Sequence, residues 1–119
     1  MASGTILATE PSITTSGNWT IVKHPNGMVE LYYRDSNFSF TATNQRGSYF
    51  FFDASLNYPI TVYDAVCFAS IGGNTASAAP FIANLRGYQS SLSYSIGSAT
   101  GSAVSSETLS VAVFGRWKL

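Results

Sequence analysis

The stretch that decides the fold is WTIVKHPNGMVELYYR, residues 19–34. Residues 19–23 alternate in an extended chain, with Trp19 and Ile21 on one face and Thr20 on the other. A second apolar run begins at residue 28, and Asn26-Gly27 lies between the two runs. Both residues of this pair tolerate a positive φ, which makes it the strongest short signal for a hairpin. The sequence therefore predicts a β-hairpin here.

Beyond the hairpin, turn signals divide the rest of the chain into short runs of strand type. The alternation of Leu92, Tyr94 and Ile96 with serines is the cleanest of these patterns. The predicted turns and loops are residues 35–37, 44–47, 72–79 and 97–106. The predicted strands that they bound are 38–43, 48–52, 60–63, 65–71, 80–86, 91–96 and 108–118.

The composition agrees with these patterns. Ser, Thr, Gly, Tyr, Phe and Val dominate, whereas Lys, Glu and Leu are scarce, and no segment shows a convincing helical period. We predict an all-β chain folded as an antiparallel β-sandwich, a jelly-roll-like knob of about eight short strands. Residues 19–119 form the single sandwich domain, and residues 1–18, without sustained periodicity, form an entry arm or linker.

Some of the predicted strands carry large apolar side chains on both faces. Phe50, Phe51 and Phe52 follow one another, and Phe68 lies in a similar run. A sheet in a small sandwich buries one face only, so the second face needs another surface to cover it. The simplest cover is a second copy of the chain, and these four phenylalanines are the predicted subunit interface.

Charge and composition exclude several classes of function. The 119 residues contain 6 Lys+Arg and 6 Asp+Glu, and this balance argues against nucleic acid as a partner. No apolar run of about 18 residues is present, so we expect no membrane insertion. The start, MASGT, lacks the basic and apolar regions of a signal peptide.

Candidates for chemistry are few. The chain has one cysteine, Cys67, and one histidine, His24, so neither a disulfide scaffold nor a four-ligand Cys/His zinc site can be built. Cys67 lies in an apolar run and His24 beside a turn, and the six carboxylates are scattered. We expect no enzyme activity, no catalytic residue, no cofactor and no metal.

Three segments resemble a known family. Residues 16–31, SGNWTIVKHPNGMVEL, resemble the Trp-Thr…Lys…Asn-Gly…Glu hairpin that opens the C-terminal domain of many tailed-bacteriophage fibre and appendage proteins, including prophage copies. The end of the chain, VAVFGRWK at 111–118, resembles the Gly-Arg-Trp-Lys ending of the same domains. Between them, residues 58–62, YPITV, are similar to a proline-containing strand of that family.

The resemblance implies a virion component. It would be a β-sandwich knob at the distal end of a fibre, commonly a homotrimer, that binds a glycan or protein on the bacterial cell surface and joins an upstream fibre shaft through residues 1–18. Two alternatives stay open: a structural head-fibre, decoration or capping knob without receptor binding, and a small polysaccharide-modifying enzyme. Because function concentrates in loops on a rigid scaffold, the predicted receptor contacts are Asn74, Thr75, Arg86, Tyr88 and Gln89.

Overall fold

A computed structural model of the chain describes residues 10–73 and 78–119. Nine strands account for most of these residues, and every strand pairing is antiparallel. The strands are β1 (Ser12–Ser16), β2 (Trp19–Lys23), β3 (Met28–Thr41), β4 (Asn44–Arg46), β5 (Tyr49–Asn57), β6 (Tyr63–Gly73), β7 (Phe81–Gly87), β8 (Ser91–Ser98) and β9 (Ala103–Arg116).

The strands form two sheets. One has five strands in the order β1-β2-β3-β9-β6, and the other has four in the order β4-β5-β8-β7. The predicted all-β sandwich is confirmed. The described residues contain nine strands rather than about eight, and β1 lies within residues 1–18, where the sequence predicted an arm without periodicity. All five residues of β1 are exposed, and the strand pairs with β2 through its backbone.

The core lies between the two sheets. Leu31 and Val113 reach it from the five-stranded sheet, and Leu92 and Ile96 reach it from the four-stranded sheet; all four are fully buried. Burying each such side chain stabilises the fold by about 1.5–3 kcal/mol. The alternation predicted for residues 91–96 is confirmed because every second side chain of β8 enters this core.

The predicted hairpin is also confirmed, as β2 and β3. The Gly27 N–H donates to the His24 carbonyl over 3.0 Å, and the His24 N–H donates to the Met28 carbonyl over 2.9 Å. The φ of Gly27 is +96°, a conformation that L side chains rarely adopt. The Asn26 side chain accepts the Met28 N–H over 3.0 Å, so the turn satisfies its own backbone groups.

Two predicted turns are wrong. Residues 35–37 form a bulge inside β3, which continues to Thr41 because β9 pairs with it on both sides of the irregularity. The Asn37 N–H donates to Asp35 Oδ1 over 3.0 Å, so a side chain replaces the missing ladder bond. Residues 44–46 form β4, and the chain reverses at Gly47, whose φ is +66°.

Two other boundaries differ from prediction. Residues 58–62, the predicted proline-containing strand, belong to neither sheet, because the Tyr58 and Val62 N–H groups donate to carbonyls at Ser90 and Gln89 in the β7–β8 turn. The predicted loop at 97–106 shrinks to residues 99–102, since β8 extends to Ser98 and β9 begins at Ala103.

The end of the chain closes against the first hairpin. The Trp117 backbone N–H donates to the Gly27 carbonyl and its indole N–H to the His24 carbonyl, each over 2.9 Å. The ammonium groups of Lys23 and Lys118 lie 5.1 and 5.0 Å from the Trp117 ring centroid, in cation–π positions. Two segments that resemble the fibre family therefore form one packed unit.

Within the residues that the structure describes, no helix is long and apolar enough to cross a membrane.

Candidate functional site

The outer face of the four-stranded sheet contains a groove of about 290 Å³. Polar and aromatic side chains from β5, β7, β8 and the β7–β8 turn converge on it. Its lining residues are Asp53, Ala54, Asn84, Arg86, Tyr88, Ser93, Tyr94 and Ser95. A shallow hollow with a few convergent polar groups and an exposed ring is typical of a ligand site on a β-sandwich.

A bulge in β7 shapes one wall of the groove. Ala83 pairs with Ser95 and Arg86 pairs with Ser93, so three steps along β7 match two along β8. The extra residue is accommodated at Asn84, whose φ is +53°, a left-handed conformation that Asn adopts more readily than most residues. As a result, Arg86 lies on the groove side of the sheet, opposite Ser93.

The second wall contains a carboxylate held by three neighbours. Asp53 accepts hydrogen bonds from Ser95 Oγ at 2.5 Å, from Arg46 Nη2 at 2.7 Å and from Asn44 Nδ2 at 3.2 Å. The Ser95 hydroxyl, followed by Arg46 and Asn44, lowers the pKa of the Asp53 carboxyl below its usual 3.8. The Arg46 guanidinium also lies 5.0 Å from the centroid of the Phe51 ring. Asp53 is therefore a fixed, ionised part of the groove wall.

The predicted receptor contacts divide into three groups. Arg86 and Tyr88 line the groove, and Tyr88 is 52% exposed. Gln89 lies on the adjacent turn, where its carbonyl accepts the Val62 N–H over 2.8 Å, and it does not line the groove. Asn74 and Thr75 lie outside the described residues.

Six of the eight residues that line the groove were not among the predicted receptor contacts. Asp53 counted only as one of six scattered carboxylates, and Asn84 only as a strand residue. The available signal was the alternation of Leu92, Tyr94 and Ile96 with serines, which places Ser93 and Ser95 on the face away from the core. What the sequence could not show is that β5 and β7 flank β8 and bring their side chains to these serines.

The outer face of the five-stranded sheet is chemically different. Val66 and Phe68 are 55% and 57% exposed there, and Tyr32 is 39% exposed. The centroid of the Phe114 ring lies 6.1 Å from that of Tyr32 and 5.9 Å from that of Phe68. Beside them is a hollow of about 380 Å³, whose lining residues are Tyr32, Tyr33, Phe68, Ala69, Ser70, Ser110, Val111 and Ala112. We call this surface the apolar face.

A carboxylate bridges two side chains near the apolar face. His24 Nε2 lies 2.5 Å from Glu30 Oε2, and the Tyr32 hydroxyl donates to the other oxygen of Glu30. The Tyr32 hydroxyl, followed by His24, lowers the pKa of Glu30 below its usual 4.5. This arrangement fixes the tilt of Tyr32 at the border of the hollow.

The four phenylalanines of the predicted subunit interface do not share a surface. Phe68 lies on the apolar face. Phe51 lies on the outer face of the opposite sheet, edge-on to Phe81 with centroids 6.1 Å apart. Phe50 and Phe52 alternate with Phe51 and pack against the core between the sheets.

The described residues bring no group of three or more His, Cys, Asp or Glu side chains together as metal ligands would require. Cys67 is half-buried, and its sulfur lies 3.3 Å from the Tyr58 hydroxyl.

The fold is similar to that of a solved structure, the N-truncated R1-type pyocin tail fibre. The similarity covers 97% of this chain and 96% of that chain, with a TM-score of 0.58 and 15% sequence identity. No protein-family model matches the sequence, and no curated protein matches it. At this identity the comparison shows the fold alone, a β-sandwich similar to that structure.

Proposed function

We propose that this chain is the distal domain of a tail-fibre-type appendage of a virion or a related particle, and that it trimerises and binds a receptor on the bacterial cell surface. The observation that supports this most directly is the contrast between the two outer faces of the sandwich. One face is apolar with a hollow, and the other bears a polar groove. The tail-fibre fold and the resemblance at both ends of the domain support the same proposal.

The apolar face is the proposed contact between subunits. Exposed Phe68 and Val66 lie at a hollow whose lining includes Ser70, Ser110 and Ala112. In a closed ring each copy contacts its two neighbours through different parts of its surface, so the exposed Phe68 ring of one copy would pack into the hollow of the next. The resemblance to fibre proteins, which are commonly homotrimers, implies that three copies form the ring. The chain that precedes β1 would lead to the shaft.

The groove is the proposed receptor site because it faces away from that contact. Tyr88 offers a flat, exposed ring, and Asn84 and Ser93 offer uncharged hydrogen-bonding groups. This combination suits a saccharide, whose C–H faces stack on aromatic rings and whose hydroxyls need both donors and acceptors.

Light scattering on the isolated chain tests the trimer. We expect the mass of three chains for the wild type and of one chain for Phe68→Ser, since the substitution removes the protruding ring. Tyr49→Ser is the matched control, because Tyr49 is a 47% exposed aromatic residue on the opposite outer face. A monomeric wild type, or a Phe68→Ser variant that stays trimeric, contradicts the proposed contact.

Binding of the fluorescently labelled domain to a panel of bacterial strains tests the receptor site. We expect Tyr88→Ser to lower binding roughly tenfold, because an aromatic contact is worth about 1 kcal/mol and three copies act together. Tyr49→Ser, outside the groove, should bind as the wild type does. A domain that is trimeric but binds no strain would instead be a structural or capping knob.

A further inference from the structure

We infer that the groove on the four-stranded sheet takes an acidic saccharide, one that carries a carboxylate or a phosphate, in preference to a neutral one. This inference rests on the proposed receptor function and specifies its ligand class. It follows from which charged side chains of the groove are paired within the protein and which are not.

The negative charge of the groove is already neutralised within the protein. Both oxygens of Asp53 accept hydrogen bonds from the Arg46 guanidinium, at 2.7 and 3.4 Å. Asn44 donates one further hydrogen bond to Oδ2, and Ser95 donates one to Oδ1. Four donors around one carboxylate leave it little capacity to accept bonds from a ligand, and the ion pair cancels its charge at short range.

The positive charge of the groove is not neutralised in this way. Arg86 is exposed, and among the residues that the structure describes none forms an ion pair or side-chain hydrogen bond with its guanidinium. Arg46 and Arg116, by contrast, each lie beside an aspartate. The groove therefore has a surplus of one positive charge, on Arg86, and the exposed Tyr88 lines the same groove.

The chemistry of Arg86 defines what would bind. A guanidinium presents a planar fork of N–H donors that matches the two oxygens of a carboxylate or of a phosphate. The bulge at Asn84 places Arg86 opposite Ser93 in the neighbouring strand, and Tyr88 follows two residues later. An acidic sugar with its anion on Arg86 and its C–H face on Tyr88 would use both groups, whereas a neutral sugar would leave the charge unpaired.

The test uses surface polysaccharide extracted from a bacterial strain that the wild-type domain binds. One portion stays native, a second has its carboxylates reduced to alcohols, and a third is dephosphorylated. Affinity for each is measured by biolayer interferometry with the wild type, Arg86→Gln and the control Lys118→Gln. Lys118 contributes one positive charge above Trp117 and does not line the groove.

We expect one of the two treatments to weaken wild-type binding roughly 10- to 100-fold, as the loss of charge-assisted hydrogen bonds would. The treatment that does so identifies the anion. Arg86→Gln should weaken binding of the native polysaccharide by a similar factor and be insensitive to that treatment, whereas Lys118→Gln should behave as the wild type does.

The outcomes separate the two proposals. If both treated polysaccharides bind as the native one does, or if Arg86→Gln retains the preference, the acidic ligand is refuted while the receptor function stands. If no strain binds the wild type, the receptor function fails, and the acidic ligand fails with it.

Discussion

Replacing Gly115 with alanine should destabilise the domain without touching either outer face. Gly115 lies in β9 opposite Val29, beside the segment that enters β6. A Cβ added there would lie 2.5 Å from Val62 Cγ1 and 2.6 Å from the Tyr63 carbonyl oxygen, although ordinary contacts begin at 3.4 Å. Because one of the two obstacles is backbone, the strands must separate by most of an ångström. Overpacking of this kind costs about 1–3 kcal/mol.

The assay is thermal unfolding followed by near-UV circular dichroism at one fixed protomer concentration, since melting of an oligomer depends on concentration. For a domain of this size the cost corresponds to a fall in Tm of roughly 4–12 °C. Gly72→Ala is the control, because nothing lies within 4 Å of a Cβ there. Its Tm should be unchanged or slightly raised. A Gly115→Ala variant that melts as the wild type does would refute the close-packing argument.

The remaining predictions concern titration and the core. Because the pKa of Glu30 is lowered in the folded state, its carboxylate stabilises the fold at pH values above its usual pKa of 4.5, and this stabilisation is lost as the pH falls through the pKa of the folded state. In Glu30→Gln, the free energy of urea unfolding should therefore depend less on pH below pH 5. Burial raises the pKa of Tyr94 to about 12, so stability should fall between pH 10 and 12, and less steeply in Tyr94→Phe. Leu31→Ala, at a fully buried position, should cost about 2–5 kcal/mol in the same unfolding experiment.

The elements that the sequence predicted well are those that local interactions determine. The turn at Asn26-Gly27 needs only its own residues, and the β8 alternation follows from one buried and one outward face. Patterns of this kind predict the hairpin, the sandwich class and much of the core. They require no knowledge of which strands are neighbours.

The errors arise where pairing between distant strands decides the structure. Asp35-Ser36-Asn37 has the composition of a turn, but β9 holds the chain extended on both sides, so the same local hydrogen bonding produces a bulge. The sequence shows that Phe50, Phe51 and Phe52 cannot share one face, but it does not show which surface covers Phe50 and Phe52. The second sheet accommodates them by directing these two rings inward and Phe51 outward.

The candidate site was predictable only in part, for the same reason. Arg86, near the end of β7, and Tyr88, in the β7–β8 turn, are two of the receptor contacts that the sequence predicted. Asp53 reaches the groove through the pairing of β5 with β8, in which it lies opposite Ser95. A single sequence contains no signal for that pairing, so the neutralised carboxylate, which gives the groove its surplus charge, emerges only from the structure.

The segments that resemble fibre proteins have a structural role in the scaffold. The hairpin and the final Gly-Arg-Trp-Lys segment meet through Trp117, which donates to the carbonyls of His24 and Gly27. Gly115 fits against Val62 with no space for a side chain. These motifs stabilise the closure of the five-stranded sheet, whereas the groove residues lie in β5, β7, β8 and the β7–β8 turn, outside both motifs. A shared scaffold motif can therefore accompany different ligands, because Arg86 and Tyr88 can change while the contacts of Trp117 and Gly115 stay the same.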